Sequence, residues 1–93
     1  MIHKTAIISK KAIIGSNVSI GAYSIIGDNV EIGDGTIIAN HVLIEGPTKV
    51  GRDNKIFSFN AIGGDPQDKK YNNELTSLEI GDKNTIREYC TIN

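Results

Sequence analysis

Few side chains in this sequence are of a type that drives covalent chemistry. There are two histidines, His3 and His41, and one cysteine, Cys90. A general base must reach the proton it removes and is usually oriented by a second group. Neither histidine has a carboxylate near it in the repeat described below. Two distant histidines also make a poor metal site, because a catalytic zinc commonly has three protein ligands. One cysteine forms no internal disulfide, and Cys90 occupies a position otherwise held by small core side chains. No metal or cofactor is expected. The polar stretch from Gly64 to Ser77 is of another kind, with Gln67, Asp68, Lys70 and Tyr71 close together. An amide donates and accepts, a carboxylate accepts, and an ammonium offsets negative charge, so this group suits binding of a polar ligand. A long polar excursion from a repeat is by default a solvated loop. Long loops on rigid scaffolds are nevertheless often the binding elements.

Whatever these residues do, a repeat of period six positions them. Ile2, Ile8, Ile14, Ile20, Ile26, Ile32, Ile38, Ile44, Val50, Ile56 and Ile62 stand six residues apart; the frame fails at Asp68 and Glu74, then returns in phase at Ile80, Ile86 and Ile92. Such a period is neither the 3.6 of a helix nor the alternation of a long strand. Gly often follows the aliphatic residue, and four places after it comes a modest side chain such as Ala12, Val18, Ser24, Thr36, Asn54 or Cys90. Gly, Asn and Asp crowd the remaining slots, where a recurring bend with positive φ is expected.

Short strand, bend, short strand describes the side of a prism. Three sides close a coil of eighteen residues, and coils stack at about 4.8 Å with parallel pairing. The fold class expected is all-β: a parallel β-helix of about five coils over residues 1–93, with a polar loop inserted at about 64–77. Seventeen Ile against no Trp fits a narrow, uniform core.

The hexad Ile20-Gly21-Ala22-Tyr23-Ser24-Ile25 resembles the signature of left-handed β-helix proteins, chiefly acyltransferases. The left hand is implied by that resemblance; general chirality favours right-handed crossovers. The same prism also serves amino-acid acetyltransferases and γ-class carbonic anhydrases, so the hexad alone is a weak guide to function. Three further stretches are more specific: Val50 to Phe59 followed by Ala61-Ile62-Gly63, the segment Asp65 to Tyr71, and Leu78 to Glu88. Together they resemble the UDP-N-acetylglucosamine O-acyltransferase family, and the resemblance runs from Met1 to Asn93.

That resemblance implies acyl transfer from acyl carrier protein to the 3-hydroxyl of UDP-N-acetylglucosamine, which opens lipid A synthesis, by a homotrimer without a cofactor. It implies substrate-binding roles for Gln67, Asp68, Lys70 and Tyr71. Asn93 falls where some members carry a histidine that lines the sugar pocket, so that contact is altered here. The family's catalytic histidine, acyl groove and C-terminal helical domain lie further along, so these ninety-three residues are expected to carry acceptor-pocket residues without the base and to be inactive alone.

Two other readings compete: a sister hexapeptide acyltransferase, against which the Gln67–Tyr71 stretch argues, and a non-catalytic β-helix scaffold. A net charge of −1 with interspersed signs gives no nucleic-acid groove and no polybasic membrane patch. No stretch approaches transmembrane length and no h-region follows Lys4, so a cytoplasmic, soluble protein is expected.

Overall fold

A computed structural model describes residues 1–63 and 77–92. Thirteen strands of two or three residues follow one another: β1 (Ile7–Ile8), β2 (Ile13–Ile14), β3 (Ser19–Ile20), β4 (Ile25–Ile26), β5 (Val30–Ile32), β6 (Ile37–Ile38), β7 (Leu43–Glu45), β8 (Thr48–Val50), β9 (Lys55–Ile56), β10 (Ala61–Gly63), β11 (Leu78–Ile80), β12 (Thr85–Ile86) and β13 (Thr91–Ile92). Each pairs in parallel with the strand three places on. The first sheet is β1-β4-β7-β10-β13, the second β2-β5-β8-β11 and the third β3-β6-β9-β12. The sheets are the three walls of a prism.

The aliphatic column points down its axis. Ile20, Ile26, Ile32, Ile38, Ile44, Val50, Ile56 and Ile62 are each at most 2% exposed. Ile8, Ile14, Ile80, Ile86 and Ile92, in the end coils, are partly buried against them. Ile20, Ile26 and Ile32 come from the three walls and meet in one cluster, as a shared axis requires.

The second inward slot is small because backbone lies close by, and where it is polar that backbone satisfies it. Ser24 Oγ donates to the Ala39 carbonyl at 2.7 Å and accepts the Val42 N–H at 3.1 Å. Thr36 Oγ1 donates to the Gly51 carbonyl at 2.8 Å. Asn60 Nδ2 donates to the Phe57 carbonyl at 2.8 Å, and its Oδ1 accepts the Cys90 N–H at 2.6 Å. Among the described residues no buried side-chain nitrogen or oxygen lacks a partner. A buried orphan would cost about 1–3 kcal/mol, so the narrow core tolerates polar atoms only on these terms.

The bends fall in the slots expected for them, though not only on Gly, Asn or Asp. Positive φ falls three places after the aliphatic residue, at Asn17, Tyr23, Asn29, Gly35, His41, Asp53, Phe59, Lys83 and Tyr89. The glycine directly after the aliphatic residue serves another purpose. At Gly33 φ is not positive, yet a Cβ would lie 2.5 Å from the carbonyl carbon of Gly51 in the next coil. Close stacking of coils, rather than backbone freedom, requires glycine there.

The register is eighteen residues, as in Ile7↔Ile25↔Leu43↔Ala61, until Gly63. Beyond it the step becomes thirty: Thr48 faces Leu78, and Ala61 faces Thr91. The excess of twelve is two hexads, which is why the repeat resumes in phase.

Candidate functional site

The irregularity that breaks the register gathers the polar groups of one corner. β7 ends at Glu45, Gly46 and Pro47 turn the chain through a cis peptide bond, and β8 begins at Thr48. Gly63, the last residue of β10, lies opposite Glu45. Leu78, the first residue of β11, lies opposite Thr48, and its N–H donates to the Pro47 carbonyl at 3.0 Å. The segment between Gly63 and Leu78 thus begins and ends on this corner.

A groove of 320 Å³ opens beside it on the second sheet, lined by Lys11, Glu31, Pro47, Lys49, Ser77 and Glu79 among others. Glu31, Lys49 and Glu79 are successive rungs of one ladder. Two lysines and two glutamates leave the lining of the groove near neutrality. It offers ammonium donors and carboxylate acceptors to a polar ligand. Sequence reasoning missed these charges; Glu31, Lys49 and Glu79 align only when positions are compared at intervals of eighteen and thirty.

The predicted binding residues Gln67, Asp68, Lys70, Tyr71 and Asn93 lie outside the described residues. Among the described residues neither histidine is hydrogen-bonded to a carboxylate. His3 Nδ1 lies 2.8 Å from Thr5 Oγ1 and accepts the Thr5 N–H at 3.1 Å. His41 stands at an outward corner, as its slot implies, but it is not isolated. Its ring is stacked between Tyr23, 5.3 Å away, and Phe59, 5.5 Å away; Phe59 in turn stacks on Tyr89 at 5.4 Å. Cys90 is half-buried with a free thiol. Among the described residues no group of His, Cys, Asp and Glu is arranged to hold a metal ion.

One wall is apolar outside as well as inside. Ile7, Ile25, Leu43 and Ala61 stand one above another on the outer face of the first sheet, with Ile7 63% and Ile25 42% exposed. The aromatic ladder runs along one edge of the same wall. The matching column on the second sheet is Ile13, Glu31, Lys49 and Glu79, mostly charged. No helix of the described residues is long and apolar enough to cross a membrane.

Hexads, three parallel walls and a ladder of like residues define a class, and residues 1–46 match the bacterial transferase hexapeptide (six repeats) family. Residues 1–46 thus carry the repeat of this hexapeptide family, and the fold is the left-handed parallel β-helix. Within the family the chain is similar to the UDP-N-acetylglucosamine O-acyltransferases. It is 56% identical over all 93 residues to the acyl-[acyl-carrier-protein]–UDP-N-acetylglucosamine O-acyltransferase of Xanthomonas euvesicatoria, covering 35% of that protein. The solved UDP-N-acetylglucosamine O-acyltransferase of Moraxella catarrhalis superposes with a TM-score of 0.91 at 52% identity, over 97% of this chain and 35% of that one. The Acinetobacter baumannii structure gives 0.92 at 51% identity, with 97% and 35% covered. The chain therefore spans about a third of the length of the relatives it matches.

Proposed function

We propose that this chain forms the acceptor side of a UDP-N-acetylglucosamine O-acyltransferase. The reaction moves a 3-hydroxyacyl group from acyl carrier protein to the sugar 3-hydroxyl, the first step of lipid A biosynthesis. The observation that carries this reading is 56% identity over the whole chain to a protein named for that reaction. Acyl transfer from a thioester to an alcohol needs a base for the hydroxyl proton and donors for the developing oxyanion. His41, its ring faces covered by Tyr23 and Phe59, and His3, engaged by Thr5, are poorly placed for the first task. The part assigned to this chain is therefore binding. Asp68 and Gln67 hydrogen-bond the sugar, Lys70 offsets the charge of the diphosphate, and Tyr71 and Asn93 complete the contacts.

A homotrimer in the cytoplasm completes the proposal. The apolar outer column of Ile7, Ile25, Leu43 and Ala61 supports self-association, because exposed apolar patches of this kind mark protein contacts. Isothermal titration of the chain with UDP-N-acetylglucosamine tests the binding role. The expected result is saturable binding that Asp68→Ala weakens at least about tenfold, the loss of one charge-assisted hydrogen bond, and Gln67→Ala by about threefold to tenfold, the loss of a neutral one. Saturable binding left unchanged by both substitutions would remove these residues from the site, and absence of binding would remove the acceptor role itself.

A further inference from the structure

We infer that the first coil of the prism docks on an anionic lipid bilayer, through exposed lysines at two of its corners and exposed isoleucines on its walls. This role is separate from acceptor binding and does not depend on it.

The overall charge of −1 conceals a segregation along the chain. Residues 1–27 hold Lys4, Lys10 and Lys11 and no acidic residue, whereas residues 28–93 hold seven basic and eleven acidic side chains. The fold winds the three lysines into one coil at one end of the prism. Lys4 lies in the turn before β1, and Lys10 and Lys11 form the turn after it. All three are exposed, and among the described residues the one ion pair is elsewhere, between Arg87 and Glu88. Beside them stand Ile7, 63% exposed, and Ile13, 62% exposed. Charge of one sign thus borders bare aliphatic surface. The mixed signs that argue against a basic patch in the sequence as a whole do not extend to this coil.

Acidic residues begin one coil up. Ile13 pairs with Glu31 on the second sheet, and Asp28, which accepts from Ser9 Oγ, ends the stretch that holds only cations. The patch therefore has the depth of one coil, about 4.8 Å, which suits the shallow burial of apolar groups at a headgroup boundary. The residue types separate a lipid surface from a protein partner. Interfaces between proteins are enriched in aromatics and Arg and depleted in Lys. Residues 2–19 contain three Lys and neither Arg nor Phe, Tyr or Trp. Lysine stems lie along apolar surface while the ammonium stays in the polar layer, where anionic headgroups supply the opposite charge. A second copy docking by the same face would set lysines against lysines.

The test sediments the chain with vesicles of phosphatidylglycerol and phosphatidylcholine in equal parts, with phosphatidylcholine vesicles and vesicle-free buffer as controls. Binding to the anionic vesicles is expected. Raising the salt from about 0.1 M to about 1 M should remove most of it, since the screening length falls from about 10 Å to about 3 Å. Lys4→Gln, Lys10→Gln and Lys11→Gln together should lower the partition coefficient about a hundredfold, roughly fivefold for each lysine. Arg52→Gln, Lys55→Gln and Lys83→Gln change the net charge equally but on upper coils, and should lower it less than about threefold. Ile7 is also the lowest rung of the column assigned to self-association, so Ile13→Ser tests the apolar part, with an expected loss of at least about fivefold. Every substituted side chain is exposed, and circular dichroism checks that the strands persist. No binding to anionic vesicles, equal binding to both kinds of vesicle, or equal losses in the two triple variants overturns the docking role. Pelleting without vesicles that the Lys4, Lys10 and Lys11 variant abolishes also overturns it, because a second copy is then the occupant.

Discussion

Asn54 holds Asn84 from one coil below: its Oδ1 accepts the Asn84 N–H at 2.8 Å, across thirty residues of sequence. The other end of the same amide donates from Nδ2 to the Gly81 carbonyl at 2.8 Å. One fully buried side chain thus fastens both sides of a bend in the coil after the register break. Asn54→Leu keeps the branched shape, adds some bulk and loses both bonds, and it is expected to cost about 1–3 kcal/mol. Asn54→Asp should be at least as damaging, because neither carboxylate oxygen can donate to Gly81 and the charge is buried. Chemical denaturation followed by circular dichroism measures both. Equal stability of Asn54→Leu and wild type would show that this bridge adds nothing.

The aromatic ladder permits a test of stacking itself. Phe59 and Tyr89 are nearly coplanar in orientation, 7° apart, with centroids at 5.4 Å. Both are largely exposed, so area burial contributes little and the pair interaction dominates. A double-mutant cycle of Phe59→Ala and Tyr89→Ala should give a coupling of about 0.5–1.5 kcal/mol. Strict additivity would make the ladder a by-product of equal coil spacing.

Hexad glycines fall into two energetic groups. At Gly33 an added methyl meets the Gly51 backbone at 2.5 Å, and backbone in a stacked coil does not give way. At Gly27 the nearest atom, the Ile44 carbonyl oxygen, is 3.4 Å from the same methyl position. Gly33→Ala is expected to destabilise by about 2–3 kcal/mol, as overpacking does. Gly27→Ala should cost less than about 1 kcal/mol, since the methyl fits. Thermal melts of the two variants side by side check the order; a reversed order would mean that space between coils is not what selects glycine.

Much of this architecture was legible because a solenoid writes its geometry into a period. The Ile column from Ile20 to Ile62 pointed to a shared axis, and the core has that axis. The bends were harder. Positive φ at Asn17, Asn29 and Asp53 agrees with residue preference, but Tyr23, Phe59, Lys83 and Tyr89 adopt it against preference because the neighbouring coils dictate the corner. The ladder of Tyr23, His41, Phe59 and Tyr89 escaped notice for a different reason. Its spacing is eighteen, eighteen and thirty, so the last rung aligns only once the register break is known. The bond from Thr48 Oγ1 back to the Glu45 carbonyl was illegible too, since nothing in the hexad marks which threonine turns back on its own bend.

The register break makes a last prediction. Between β7 and β8 the corner contains two residues, Gly46 and Pro47. Deleting residues 65–76 would join Gly64 to Ser77 and leave two residues between β10 and β11, restoring the eighteen-residue step from Thr48 to Leu78. The pairings Leu78↔Thr48 and Thr91↔Ala61 would then need no change. A shorter closed loop also costs less entropy, though only slightly, because loop entropy grows with the logarithm of length. The shortened chain is therefore expected to keep its strand signal in circular dichroism and to melt at or above the wild-type temperature, while losing affinity for UDP-N-acetylglucosamine. Deletion of eleven or thirteen residues should fail to fold, since a one-residue slip turns each following Ile out of the core. If all three deletions were equally stable, hexad phase would not govern how β11 rejoins the coil.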